Sequence, residues 1–161
     1  MYYFAYGSNM PTERFRDRVP SCKFITVAVL KSHILRFHKR SRKDGSGKCN
    51  AYYTGTESDE VIGVVFDIEP TERAALDIVE GLGRGYHEKT VCVETTDGVI
   101  RAFMYEADNT AIDDALKPFT WYKKLVVQGA REHGLPEDYI QQIEAVPADG
   151  DPGGETNYET D

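Results

Sequence analysis

Residues 1–10 read Met-Tyr-Tyr-Phe-Ala-Tyr-Gly-Ser-Asn-Met. Tyr2 to Tyr6 form a short aromatic, apolar run, the pattern of a buried first strand. Gly7-Ser8-Asn9 breaks it with turn-forming residues. Pro11 to Asp17 then predicts a short helix, with Asn9 or Ser8 as its cap and Pro11 in its first turn. A strand that passes through a glycine turn into a helix leaves backbone N–H groups unpaired. Such groups bind carboxylates and oxyanions, and glycine lets a ligand come close to the backbone. The same letters also make a plain turn, and spacing alone leaves both readings open.

Working outward, Phe24–Leu30, Ser32–Phe37, Ala51–Thr56 and Val61–Ile68 have strand composition, and Lys39–Lys48 reads as a basic loop. Thr71–Glu80 has helical spacing with Ala74, Ala75, Ile78 and Val79 inward, and Gly81 stops it. Tyr86–Thr95 and Val99–Glu106 predict a hairpin about Asp97-Gly98. Two helices finish the pattern, Pro118–His133 and Pro136–Val146. Strands followed by helices predict an α+β fold: a small, strongly curved mixed β-barrel flanked by helices.

The 161 residues suit one domain, expected over 1–148. The last thirteen residues contain Asp149, Asp151, Glu155, Glu159 and Asp161 and no Lys or Arg, which predicts a disordered acidic tail over 149–161. A hydrophobic fraction of 40% and a charged fraction of 29% are globular values. The net charge of −8 argues against a nucleic-acid partner. Seven Lys or Arg residues from Lys31 to Lys48 face one acid, Asp44; a solvated hairpin tip is favoured over a nucleic-acid patch or a guide for anionic substrates. Cys22, Cys49 and Cys92 have no CxxC spacing, so they read as small hydrophobes in a reducing cytoplasm, with neither zinc nor disulfides. No signal peptide and no apolar run of membrane length is visible. Ser8 lacks a G-x-S-x-G context, so it is not read as a nucleophile.

Glu80 breaks a local rule, because a carboxylate at the C-terminal end of a helix faces the negative end of the dipole. Such exceptions are either functional or simply solvated. Together with the opening segment, Gly63-Val-Val-Phe, Leu76-Asp-Ile-Val-Glu-Gly, Tyr122-Lys-Lys-Leu and Gly129-Ala-Arg-Glu-His-Gly-Leu-Pro, it makes the chain resemble the gamma-glutamylcyclotransferase family. The resemblance implies a curved barrel flanked by helices and a reaction that turns a gamma-glutamyl amino acid into 5-oxoproline and the free amino acid. It implies no cofactor and no metal. It puts Glu80 at the catalytic acid/base, and Tyr3, Phe4, Ala5, Tyr6, Gly7, Ser8 and Asn9 in the substrate-binding loop. Tyr105 and Tyr122 stand as further substrate-side residues. The implied partner is a small gamma-glutamyl molecule; a homodimer is compatible with a sequence that does not encode oligomeric state. The alternatives are a cyclotransferase for gamma-glutamylamines or a gamma-glutamyl secondary metabolite, and a non-catalytic binding module.

The chemistry needs these groups. The substrate's α-amine attacks its own δ-carbonyl, so holding a folded conformer can be worth roughly 7–11 kcal/mol. The amine must first lose a proton. A terminal amine near pKa 7.7 and a model glutamate near 4.3 leave a gap on the order of 4.6 kcal/mol. Burial and a helix C-terminus would narrow it for Glu80.

Overall fold

The computed structural model describes residues 1–151. Among them the chain runs β1 (Tyr2–Ala5), α1 (Thr12–Arg18), β2 (Lys23–Lys31), β3 (His33–Arg40), β4 (Gly47–Tyr53), β5 (Glu60–Asp67), α2 (Arg73–Glu80), β6 (Tyr86–Thr95), β7 (Gly98–Ala107), α3 (Thr120–Glu132) and α4 (Glu137–Glu144). Five strands close a barrel in the order β1-β5-β2-β6-β7, and β3 with β4 forms a separate two-stranded sheet. The pairs are antiparallel except the closing one, where β1 meets β7 in parallel at Tyr3 and Phe103. The barrel is thus mixed, as its α+β pattern predicts. Phe4, Phe15, Phe66, Val64, Val65, Leu76 and Met104 are fully buried, within the barrel or between its wall and the helices.

Several local expectations need correction. The basic stretch is not one long loop: β3 continues to Arg40, β4 begins at Gly47, and only residues 41–46 turn. Nor is it a solvated tip throughout, because Lys39 and Lys48 are each 2% exposed. Their charges lie on aromatic faces. Lys39 Nζ sits 4.5 Å from the Tyr86 ring centroid, and Lys48 Nζ lies 4.4 and 4.3 Å from those of Trp121 and Tyr122. The turn itself winds around Asp44, which accepts Ser46 N–H at 2.9 Å and Ser46 Oγ–H at 2.6 Å.

Neither Asn9 nor Ser8 caps α1. Pro11 holds the N-cap position, and Glu132 of α3 accepts the Thr12 N–H at 3.2 Å. The phase of α2 is also rotated. Ala74, Ala75 and Ile78 face solvent, Ile78 at 81% exposure, while Leu76 is buried and Arg73, Asp77 and Glu80 turn toward the barrel. The hairpin turns over Thr96-Asp97, with Gly98 opening β7 opposite Thr95. At the far end, Asp149 bridges to Phe119, and the Asp151 carboxylate accepts the Trp121 N–H at 3.0 Å. These residues thus satisfy first-turn donors of α3. The rest of the expected tail lies outside the described residues.

The loop after β1 rests on α3 at Gly129. A Cβ there would lie 2.5 Å from Met10 Cβ and 2.8 Å from Pro11 N. Alanine normally stabilises a helix interior by about 1 kcal/mol over glycine; overpacking a rigid contact costs about 1–3 kcal/mol or more. Here the second effect wins, because the obstacle is backbone and a proline ring. Gly129→Ala is expected to lower the melting temperature by roughly 2–8 °C. Calorimetry showing an unchanged or higher midpoint would contradict this close approach.

Candidate active site

A small hollow of about 30 Å³ opens where β1 ends. Each wall comes from a different element. The turn after β1 gives Gly7, Ser8 and Asn9, and closes by the Met10 N–H to Gly7 carbonyl bond at 3.1 Å. Space is tight at position 7: a Cβ would stand 3.0 Å from Cys49 Cβ and 3.3 Å from its sulfur, so Cys49 would have to give way by a few tenths of an ångström.

Glu80 arrives from the last residue of α2, where Gly81, in the left-handed conformation at φ 74°, ends the helix. Its carboxylate accepts Asn9 Nδ2–H at 2.6 Å and faces the Arg18 guanidinium at 3.4 Å, with only 15% of the side chain exposed. It is therefore not a carboxylate isolated among aromatics. Asn9 is the hub: its Nδ2 also donates to the Tyr3 hydroxyl at 3.1 Å, and its Oδ1 accepts from Arg18 at 2.8 Å. One amide thus ties the turn, β1, α1 and α2 together.

Tyr3, Tyr6, Tyr86, Tyr105 and Tyr122 complete the lining. Tyr6 donates to the Tyr105 carbonyl, and Tyr105 donates to Asp77 at 2.5 Å. Tyr122 oxygen accepts the Cys49 N–H at 3.0 Å, while Tyr86 donates to the Cys49 carbonyl at 2.6 Å. Both backbone polar groups of Cys49 are held this way. Burial raises the pKa of Tyr3, Tyr6 and Tyr105 well above the ordinary phenol value; the Glu80 charge adds to the shift at Tyr3 and the Asp77 hydrogen bond at Tyr105. The rings therefore present neutral hydroxyls at neutral pH.

The structure brings together Glu80, Tyr3, Tyr6, Gly7, Ser8, Asn9, Tyr105 and Tyr122. It does not bring in Phe4 and Ala5. Both are fully buried in the core, and the Phe4 ring packs on Gly63 of β5. Alternation along the strand sends Phe4 to the face opposite Tyr3. Cys49 and Tyr86 line the hollow and were not foreseen, nor were the supports Arg18 and Asp77. No local signal marks them; each is recruited across the fold. Among the described residues no group of three His, Cys, Asp or Glu side chains is gathered in a way that would hold a metal ion.

Burial pushes the Cys49 thiol up to about 12. At pH 8 its thiolate fraction is then on the order of 10⁻⁴. Cys22 is buried and Cys92 exposed. A bulky disulfide reagent at pH 8 should titrate one fast thiol, lost in Cys92→Ser. Rapid labelling of Cys49 would show that the hollow wall opens.

The chain matches the model of the AIG2-like family over residues 60–143. It is 36% identical over 148 residues to a gamma-glutamylcyclotransferase of Bos taurus, an alignment spanning 89% of this chain and 77% of the relative. The likeness to a gamma-glutamylcyclotransferase of Homo sapiens is the same in identity, length and coverage. A solved structure of a gamma-glutamyl cyclotransferase superposes with a TM-score of 0.87 at 32% identity, over 98% of this chain and 94% of that one.

Proposed function

The chain belongs to the gamma-glutamylcyclotransferase family, and we propose that it closes a gamma-glutamyl amino acid onto itself, releasing 5-oxoproline and the free amino acid. The observation that carries the residue assignment is the seating of the Glu80 carboxylate against Asn9, 2.6 Å away, inside a hollow otherwise lined by tyrosines, Cys49 and the turn after β1.

In this reading Glu80 takes a proton from the substrate's α-ammonium group. The freed amine adds to the δ-carbonyl and forms the ring C–N bond. The tetrahedral oxyanion collapses, the bond to the leaving nitrogen breaks, and Glu80 returns its proton to that nitrogen. The second proton shed by the ring nitrogen ends on the released amine, so no water is consumed. Glu80 serves as base and then as acid, the economical use of one carboxylate within reach of two nitrogens. Backbone N–H groups of the Tyr6–Asn9 turn serve the oxyanion or the substrate's α-carboxylate. Tyr3, whose oxygen accepts from Asn9, keeps its own proton for donation to the bound molecule. The Asn9 side chain and the Arg18 guanidinium hold the Glu80 carboxylate in place.

The test is direct. Wild-type protein incubated with gamma-glutamyl dipeptides should yield 5-oxoproline, read by mass spectrometry. Release of free glutamate instead would mean hydrolysis. Glu80→Gln preserves shape and should melt within about 2 °C of wild type, while turnover falls roughly 10²–10⁴-fold, the usual worth of a general acid/base. Turnover within tenfold of wild type in that variant overturns the role given to Glu80.

A further inference from the structure

A second groove of about 380 Å³ shares Glu80 as a wall with the hollow. Lys39, Arg42, Lys43 and Arg84 line it, beside Ile78, Val79 and Gly81 of the α2 end. Two independent pieces of backbone deliver these charges. Arg84 sits in the loop after α2, where Gly81, Gly83 and Gly85 take φ values of 74, 79 and 117° and the Arg84 N–H bonds back to the Gly81 carbonyl at 2.8 Å. That loop is packed against the β3–β4 hairpin, since a Cβ on Gly85 would lie 2.9 Å from Lys39 Cε. Arg42 and Lys43 project from the hairpin turn, whose backbone is pinned by the Ser41 hydroxyl accepting the Lys43 and Asp44 N–H groups at 3.2 and 3.4 Å. The Lys39 ammonium lies on the ring of Tyr86, which itself lines the hollow, so the two spaces adjoin there as well as at Glu80.

We propose that this groove binds the α-carboxylate of the leaving amino acid, with Arg42 and Arg84 as its main ligands, an inference that rests on the cyclotransfer proposed above. Covalent geometry drives it. The leaving nitrogen must come within roughly 2.6–3.2 Å of Glu80 to be protonated. In an α-amino acid the carboxylate carbon is two bonds from that nitrogen, about 2.5 Å away. The leaving carboxylate is thus forced to within a few ångströms of the Glu80 carboxylate, and two anions so close repel unless cations lie beside them. Glu80 lines both spaces, and Lys39, Arg42, Lys43 and Arg84 line the groove with it. A gamma-glutamylamine has no such carboxylate and draws nothing from them. The guanidinium groups, forked and permanently charged, suit a planar carboxylate. The groove therefore selects leaving groups that carry a carboxylate next to the departing nitrogen.

The experiment compares gamma-glutamyl-alanine with gamma-glutamyl-alaninamide, identical but for that charge. Wild type should show a KM about tenfold or more lower for the acid. In Arg42→Ala/Arg84→Ala that preference should collapse to within about twofold, and Arg42→Lys/Arg84→Lys should restore part of it. A thermal melt of each variant shows that it is folded. Equal KM values for acid and amide in wild type, or a double variant that keeps the preference, overturn the assignment. Calorimetric binding of both compounds to Glu80→Gln decides the matter without turnover. Tenfold tighter binding of the acid supports the groove even if no 5-oxoproline is ever formed, an outcome that would sink the cyclotransfer reading instead. Equal binding, or none, overturns the groove.

Discussion

The site depends on the way α2 docks. Beside the buried Leu76 its inward side carries polar groups: Asp77 accepts the Tyr105 hydroxyl at 2.5 Å and the Arg73 Nε–H at 2.9 Å. Arg73 in turn reaches Glu88 at 2.8 Å and lies 3.7 Å from the centroid of the Phe103 ring. Tyr105, Phe103 and Glu88 belong to the barrel wall, so the helix is keyed to β6 and β7 by charge and hydrogen bonds. Residues three apart share a helix face. Once Asp77 points at Tyr105, Glu80 has to point at the hollow. A roll that buried Ala74 and Ile78 would be the ordinary hydrophobic solution, and it would carry the carboxylate into water. A satisfied polar network of this kind specifies one arrangement because its half-satisfied alternatives are costly.

A second device works from behind the tyrosines. Lys39 and Lys48, buried on the faces of Tyr86, Trp121 and Tyr122, fix the rings that grip the Cys49 peptide. Cys49 in turn abuts Gly7. The separate β3–β4 sheet is in this way a wall of the site and not an appendage to the barrel. The aliphatic stem of lysine lets it fill apolar space while its ammonium finds an aromatic face.

These devices also explain what the sequence could reveal. The strands are legible as apolar runs punctuated by glycine and polar turns, and the Asp97-Gly98 pair locates the β6–β7 hairpin to within a residue. Glu80 stood out because it contradicts a helix-end preference just before a glycine stop. The phase of α2 was misread because Ala74, Ala75, Ile78 and Val79 form the better apolar stripe, and tertiary hydrogen bonding overrode it. The basic segment was misread because lysine in a Gly/Ser-rich run looks solvated unless its aromatic partners, some 50 to 70 positions away, are known. Arg18, Cys49, Asp77 and Tyr86 had no local mark; their roles exist only in contacts between distant segments.

Those distances in sequence bear on biogenesis. Tyr6 meets Tyr105 across 99 positions, Asn9 meets Glu80 across 71, and Cys49 meets Tyr122 across 73. A topology dominated by such pairings has a high contact order and folds slowly. On a ribosome adding about 5–20 residues per second, the first strand emerges many seconds before β7 and α3 exist to receive it. Its aromatic run can pair with β5 first, and waits longest for Phe103 of β7, the neighbour that closes the barrel.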